Sequence, residues 1–257
     1  MKPTAVFPRV AKDIFFVQLM WTGGFLGIML IVNIVKLIFA GIKGNEAEGF
    51  FSSIFVAGNI YMLIIGILAI YFLPHFVGNG VTRKDYFIGT VLASIGLSII
   101  IPIITLLVSV LERLILNILD ITLKGQTINE VDVDGAVIGD IVQSIIISPY
   151  VDPQSNLFLA ISVLSLNLLV IYLIGWLISS SFYRFDTVVG IGFILIGLNL
   201  KMLKDTFLRI SLDLPIPGWY TKLDILPISF SLIGILLIIL ISIWFIRLLT
   251  KKVAIKM

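Results

Sequence analysis

Six long apolar runs, each bounded by charged or turn-forming residues, organise this chain. They fall over about 14–35, 53–73, 86–111, 157–180, 187–203 and 225–246. A hydrocarbon core about 30 Å thick takes roughly 20 apolar residues in helical form, so each run predicts a transmembrane helix. Strands are excluded on two grounds: an open sheet edge leaves unpaired backbone groups in lipid, and the runs lack the in-out alternation of a barrel strand. The fifth run is short at its charge-free core, and Lys201 is expected to snorkel while the helix continues to Leu203. No small-residue cleavage pattern follows the first run, so it is expected to stay as a helix and not to be removed as a signal.

Two further segments are amphipathic. Phe7, Val10 and Ile14 recur at helical spacing beside Arg9 and Lys12, which predicts an interfacial helix feeding the first span. Leu203, Phe207, Ile210 and Leu214 form one stripe, and Lys204, Asp205, Arg209 and Asp213 form the other. Pairs four residues apart, Asp205 with Arg209 and Arg209 with Asp213, would support a short helix lying at the outer surface or dipping into it, ended by Pro215 and Pro217. The expected fold is an all-α integral membrane protein: six transmembrane helices, an N-terminal amphipathic interfacial helix and a short outer amphipathic helix before the sixth span. It forms a single domain over 1–257, with an outer loop over 112–156.

Composition agrees. Of 257 residues 59% are hydrophobic and 13% charged, at a mean hydropathy of +1.15, where soluble domains carry about 25% charged residues. Charge then orients the spans. With the N-terminus inside, the inner set holds ten basic residues (Lys2, Arg9, Lys12, Arg83, Lys84, Arg184, Arg247, Lys251, Lys252, Lys256) against Asp13, Asp85 and Asp186. The other side holds eight basic and twelve acidic residues, so the positive-inside rule puts both termini in the cytoplasm. The outer loop is acidic, but Glu130, Asp132 and Asp134 lack the ligand spacing and glycine of a calcium loop, and no metal site is expected. The net charge of +3 is scattered among membrane-flanking segments and forms no basic face, so nucleic acid is not an expected partner.

Candidate chemistry is sparse. Cysteine is absent and His75 is the single histidine, which leaves no thiolate or imidazole cluster. The polar interruption GNGVTRKDYF, Gly78 to Phe87, opens on Gly-x-Gly, but it follows a membrane helix near Pro74 and lacks the strand and the full spacing of a phosphate loop. Ser179, Ser180 and Ser181 have no evident base. No catalytic activity is expected on this chain. Polar residues in or near the spans are Asn33, Lys36, Asn59, Asn167, Asn199 and Lys201. They either join helices by hydrogen bonds or line a substrate path, with Asn33, Lys36, Asn59 and Asn199 as its expected residues. No carboxylate falls within the expected spans, which argues against a proton- or sodium-coupled carrier. An outside energy source is therefore expected.

The loop GNGVTRKDYF running into the third span, the trailing Leu111-Glu112-Arg113, and SSSFYRFDTVVGIG leading into the fifth span resemble the permease subunits of Gram-positive ABC exporters, the ABC type two transporter family. The order of elements matches along nearly the whole chain. The resemblance implies a multi-pass protein of the bacterial cytoplasmic membrane, a permease dimer joined to cytosolic ATPase subunits that bind ATP and magnesium, and export of an amphipathic peptide. Within that family the resemblance is to the exporters of phenol-soluble modulins and of bacteriocin-like peptides. It further implies that Thr82, Arg83, Lys84, Asp85 and Tyr86 dock into a groove on the ATPase, with Arg9 and Lys12 nearby. Anchoring to lipid headgroups is the other reading of the same cations, and the two can coexist. A non-transporting immunity or sensor subunit is the alternative function.

In the expected two-fold dimer with a second permease copy, identical or homologous, the first span, through Gly23, Gly24 and Gly27, meets the fifth span of the partner, through Gly190, Gly192 and Gly197, because small residues let helices approach closely. Packing within one chain is the other reading of these glycines. The orientation is open to a direct test. In intact cells a Gln126→Cys variant should react with an impermeant thiol reagent and a Gly80→Cys variant should not; the reverse pattern would invert the assigned topology.

Overall fold

The computed structural model describes residues 6–43, 49–118, 148–216, 223 and 225–251. It is all helical over the spans: α1 (Phe7–Lys43), α2 (Phe50–Ala69), α3 (Phe72–Gly78), α4 (Arg83–Ile118), α5 (Leu157–Arg184), α6 (Thr187–Ser211) and α7 (Ile228–Lys251). Counting α2 and α3 together, six helical segments among the described residues are long and apolar enough to cross a membrane. The chain is a multi-pass membrane protein. Most of the expected outer loop, and the expected outer segment around Pro217, lie outside the described residues.

Helix bounds differ from the apolar runs in an informative way. The 37 residues of α1, about 56 Å at 1.5 Å per residue, run unbroken through the amphipathic N-terminal turns, which are the first turns of α1 and not a separate helix. Val10 and Ile14 are buried there, and Val10 lies beside Gly89 of α4. The amphipathic segment expected before the sixth span is likewise the last three turns of α6. The acidic loop begins later than expected, because α4 continues to Ile118.

The second run breaks at Ile70 and Tyr71, and the cause is Pro74. Proline has no N–H, and its ring would clash with the carbonyl four residues back, that of Ile70. The chain tightens instead: Tyr71 N donates to Leu68 O and Leu73 N to Ile70 O, both at 3.1 Å. Leu73 N would otherwise serve Ala69 O. That carbonyl accepts the hydroxyl of Tyr86, which is fully buried on α4.

At the centre lies α5, which touches α2, α4, α6 and α7, while α1 packs mainly on α4. Tyr172 and Trp176 of α5 are fully buried, with Phe50, Phe51 and Phe55 of α2 in the same core. Helices α2 and α5 meet backbone to backbone. A Cβ on Gly66 would stand 2.2 Å from the Tyr172 carbonyl oxygen, and one on Gly175 would stand 2.3 Å from that of Leu63. The outward faces carry exposed Ile28, Ile31, Leu107, Leu195 and Leu236, the surface that a bundle in lipid presents.

Because the atom met at Gly66 is backbone, Gly66→Ala should lower stability by about 1–3 kcal/mol. Gly23→Ala, with nothing within 4 Å of its Cβ, should leave the stability of the single chain unchanged or slightly raised. Thermal unfolding in neutral detergent, followed by tryptophan fluorescence, would show this; equal midpoints for both variants would contradict the close α2–α5 contact.

Candidate functional site

Among the described residues polar side chains meet at several places along the bundle, three of which hold residues expected at a functional site. The first is the corner between α3 and α4, at the end that the charge pattern assigns to the cytoplasm. Gly80, at φ +82°, ends α3: Gly80 N donates to Val77 O and Val81 N to Phe76 O, both at 3.0 Å. These are the paired bonds of a Schellman turn, which favours glycine at that position. Thr82 then caps α4, its Oγ1 accepting from Asp85 N at 3.0 Å while its hydroxyl donates to Asp85 Oδ2 at 2.7 Å. The Gly-x-Gly bait is thus consumed by a helix end, and Asp85 by a helix start.

Arginines tie this corner to its neighbours. Arg83 Nη1 donates to Lys251 O at 3.3 Å, and Arg247 Nη1 donates back to Arg83 O at 3.2 Å. Arg184, at the end of α5, donates to the carbonyls of Leu248 and Leu249. These carbonyls lie in the last described turn of α7, and cations suit the C-terminal part of a helix. Of the five expected docking residues, Thr82 and Lys84 are exposed, Arg83 and Asp85 half-buried, and Tyr86 buried. Tyr86 holds the bundle together from within.

At the opposite end Glu112 of α4 accepts from Asn33 Nδ2 of α1 at 2.5 Å and from Phe50 N, the first residue of α2, at 2.8 Å. Gly49 supplies no side-chain cap to α2. A carboxylate from another helix therefore does that work, and its charge suits the positive helix end.

The third place is deeper. Asn167 Nδ2 of α5 donates to Asn59 Oδ1 of α2 at 2.5 Å, and Lys204 Nζ of α6 donates to Asn167 Oδ1 at 2.5 Å. Lys204 also donates to Asp205 Oδ1, and Lys201 Nζ pairs with Asp205 Oδ2 at 2.7 Å. All five side chains are buried.

These placements correct the sequence reading on two points. Carboxylates do lie within the spanning helices: Asp205 and Glu112 are both buried there, so a lack of carboxylates no longer argues against a proton- or sodium-coupled carrier. The polar stripe of Lys204 and Asp205 faces the bundle and not the outer surface, because Asn167 offers it an acceptor. Asp205 is held by Lys201 and Lys204, and Arg209 turns to Pro215 O at 2.9 Å, in place of the pairs expected four residues apart. The four residues expected along a path are not brought together. Asn33 and Asn59 belong to separate networks, and Lys36 and Asn199 are exposed.

The glycines divide too. Gly190 packs on Phe182 and Gly197 on Ile174 and Ile178, within the chain, whereas a Cβ added at Gly23, Gly24, Gly27 or Gly192 would meet nothing within 4 Å. Ser179 and Ser181 donate to the helix carbonyls of Trp176 and Ile178. Among the described residues no group of three or more metal-ligating His, Cys, Asp or Glu side chains occurs. Comparison with protein-family models, with curated proteins and with solved structures finds no match.

The Glu112 junction can be tested by its hydrogen bonds. Glu112→Ala strips buried partners from Asn33 and Phe50 N and should cost about 2–4 kcal/mol. Glu112→Gln should cost clearly less: its Oε1 still accepts from Phe50 N, and a rotated Asn33 amide can present Oδ1, which is unpartnered among the described residues, to the new amide. Equal losses in thermal unfolding would show that the negative charge, and not the hydrogen bonding, holds the three helices.

Proposed function

We propose that this chain is the transmembrane subunit of an ATP-driven exporter of the ABC type, which moves an amphipathic peptide or similar hydrophobic molecule out of a bacterial cell. The α3–α4 corner is the observation that carries the reading. It presents Thr82 and Lys84 to solvent on a turn capped at both sides, with Arg83 and Arg247 binding it to α7, which Arg184 in turn joins to α5. A load applied at such a corner moves a helix and not a loop. From Arg83, α4 reaches Glu112, where α1 and the start of α2 are attached. One continuous helix, with Pro102 inside it, thus joins the corner to the opposite end of the bundle, and such a connection is what an external ATPase needs.

In this reading the ATPase subunits bind ATP and magnesium, and two permease copies, identical or homologous, form the translocating unit. The open glycine face of α1, with Gly23, Gly24 and Gly27, supports a second copy on that side. The hydrophobic exterior and the polar interior clusters suit a cargo with both characters.

The corner gives a sharp test because its residues do different work. Arg83 is tied to Lys251 O, so its loss would also loosen α7. Lys84 is exposed and is the cleaner probe. Lys84→Glu should abolish co-purification with the ATPase encoded beside this chain, or its ATPase stimulation, by tenfold or more, while thermal stability shifts by less than ~0.5 kcal/mol, as for ordinary surface changes. Undiminished stimulation would reduce the corner to a lipid anchor, and the export reading would lose its support.

A further inference from the structure

We infer that Lys201, Lys204 and Asp205, with Asn59 and Asn167, form a binding site for the anionic headgroup of an amphiphile, in which Asp205 occupies the ligand's place while the site is closed. The inference concerns binding to this chain and does not depend on the energy source proposed above.

Donor capacity is the first argument. A lysine ammonium has three N–H groups. Lys204, with no exposed surface, uses one on Asn167 and one on Asp205, and the third meets no acceptor among the described residues. A buried charge left short of partners is costly. Bundle packing alone would be served by an apolar side chain or by a single matched pair. This site instead brings two ammonium groups to one carboxylate, each to a different oxygen.

That geometry also names the ligand chemistry. Asp205 demonstrates that a carboxylate fits between Lys201 and Lys204, so a carboxylate or a phosphate oxygen pair from outside the chain can take the same position. Asn59 and Asn167 bind one another and fix the floor of the site. A cationic headgroup would meet two like charges.

Depth fits an amphiphile. Asn59 lies nine residues from the start of α2, Asn167 ten from the start of α5 and Lys204 seven from the end of α6. At 1.5 Å per residue these place the cluster roughly 10–15 Å below the helix ends opposite the corner. A headgroup there leaves its alkyl chain among apolar helix faces. The anion has two sources, a free carboxylate amphiphile or an anionic membrane lipid.

The test uses the purified full chain in nanodiscs of zwitterionic phosphatidylcholine, with radiolabelled dodecanoate as probe and empty nanodiscs as background. Saturable binding is expected, displaced by unlabelled dodecyl phosphate and not by dodecyltrimethylammonium. Asp205→Asn removes the internal competitor and should tighten binding about tenfold; Lys204→Met should weaken it at least tenfold. If Lys204→Met fails to fold, Asp205→Asn and the displacement series still decide. Nanodiscs containing phosphatidylglycerol separate the sources: blocked dodecanoate binding identifies the lipid headgroup as occupant, and unchanged binding identifies a free amphiphile. Displacement by dodecyltrimethylammonium as efficient as by dodecyl phosphate, absence of saturable binding, or wild-type affinity in Asp205→Asn would overturn the assignment.

Discussion

Hydrocarbon supplies no hydrogen-bond partner, so every polar group that this bundle takes below its surface must find one inside the protein. The arrangement of helices follows from how those debts of geometry are settled. Pro74 frees the carbonyl of Ala69, and Tyr86 of α4 reaches across to it. The first turn of α2 lacks a cap, and Glu112 of α4 provides it. Asn167 of α5 needs a donor, and Lys204 of α6 supplies one. Each case fixes two helices against one another at a set height, which apolar contact between lipid-like side chains does poorly.

Apolar contact then works within that frame. Gly66 and Gly175 let α2 and α5 touch along their backbones, so that the aromatic residues Tyr172 and Trp176 fill the space between α5 and α4. With its neighbours seated on several sides, α5 is the axis of the bundle. Helix α1 stays at the edge, attached to α4 by Val10, to Tyr172 of α5 by Gln18, to Tyr61 of α2 by Thr22 and to the far end by Asn33. The consequence is a division of labour between a rigid centre and a peripheral helix with an open face.

Much of this was legible in the sequence, and for a physical reason. Six spans could be read because a 30 Å barrier forces long apolar runs, and that constraint acts locally. Their ends could not: α1, α4 and α6 all outrun their apolar cores, since a charged residue continues a helix freely wherever it finds a partner. Asp205 shows the limit. Its sequence neighbours put it on a polar stripe that faces solvent in a surface helix, and only Asn167, 38 positions earlier in the chain, turns that stripe inward. Gly80 and Thr82 invited a phosphate-loop reading that the missing strand and spacing excluded; a helix C-cap followed at once by an N-cap uses the same residue types. A signal for Glu112 did exist: a lone acidic residue directly following an apolar run, level with Asn33 and the start of the second span.

Glu112 also bears on how the chain is made. Its carboxylate completes the start of α2 from 62 residues further along, and a ribosome delivers those residues later. The second helix therefore enters the membrane with its first turn unfinished, and it stays so until the fourth helix has threaded back to the same side. The bundle acquires its register from the far end only when that return is complete, which makes α4 the clasp of assembly as well as its longest partner to α1.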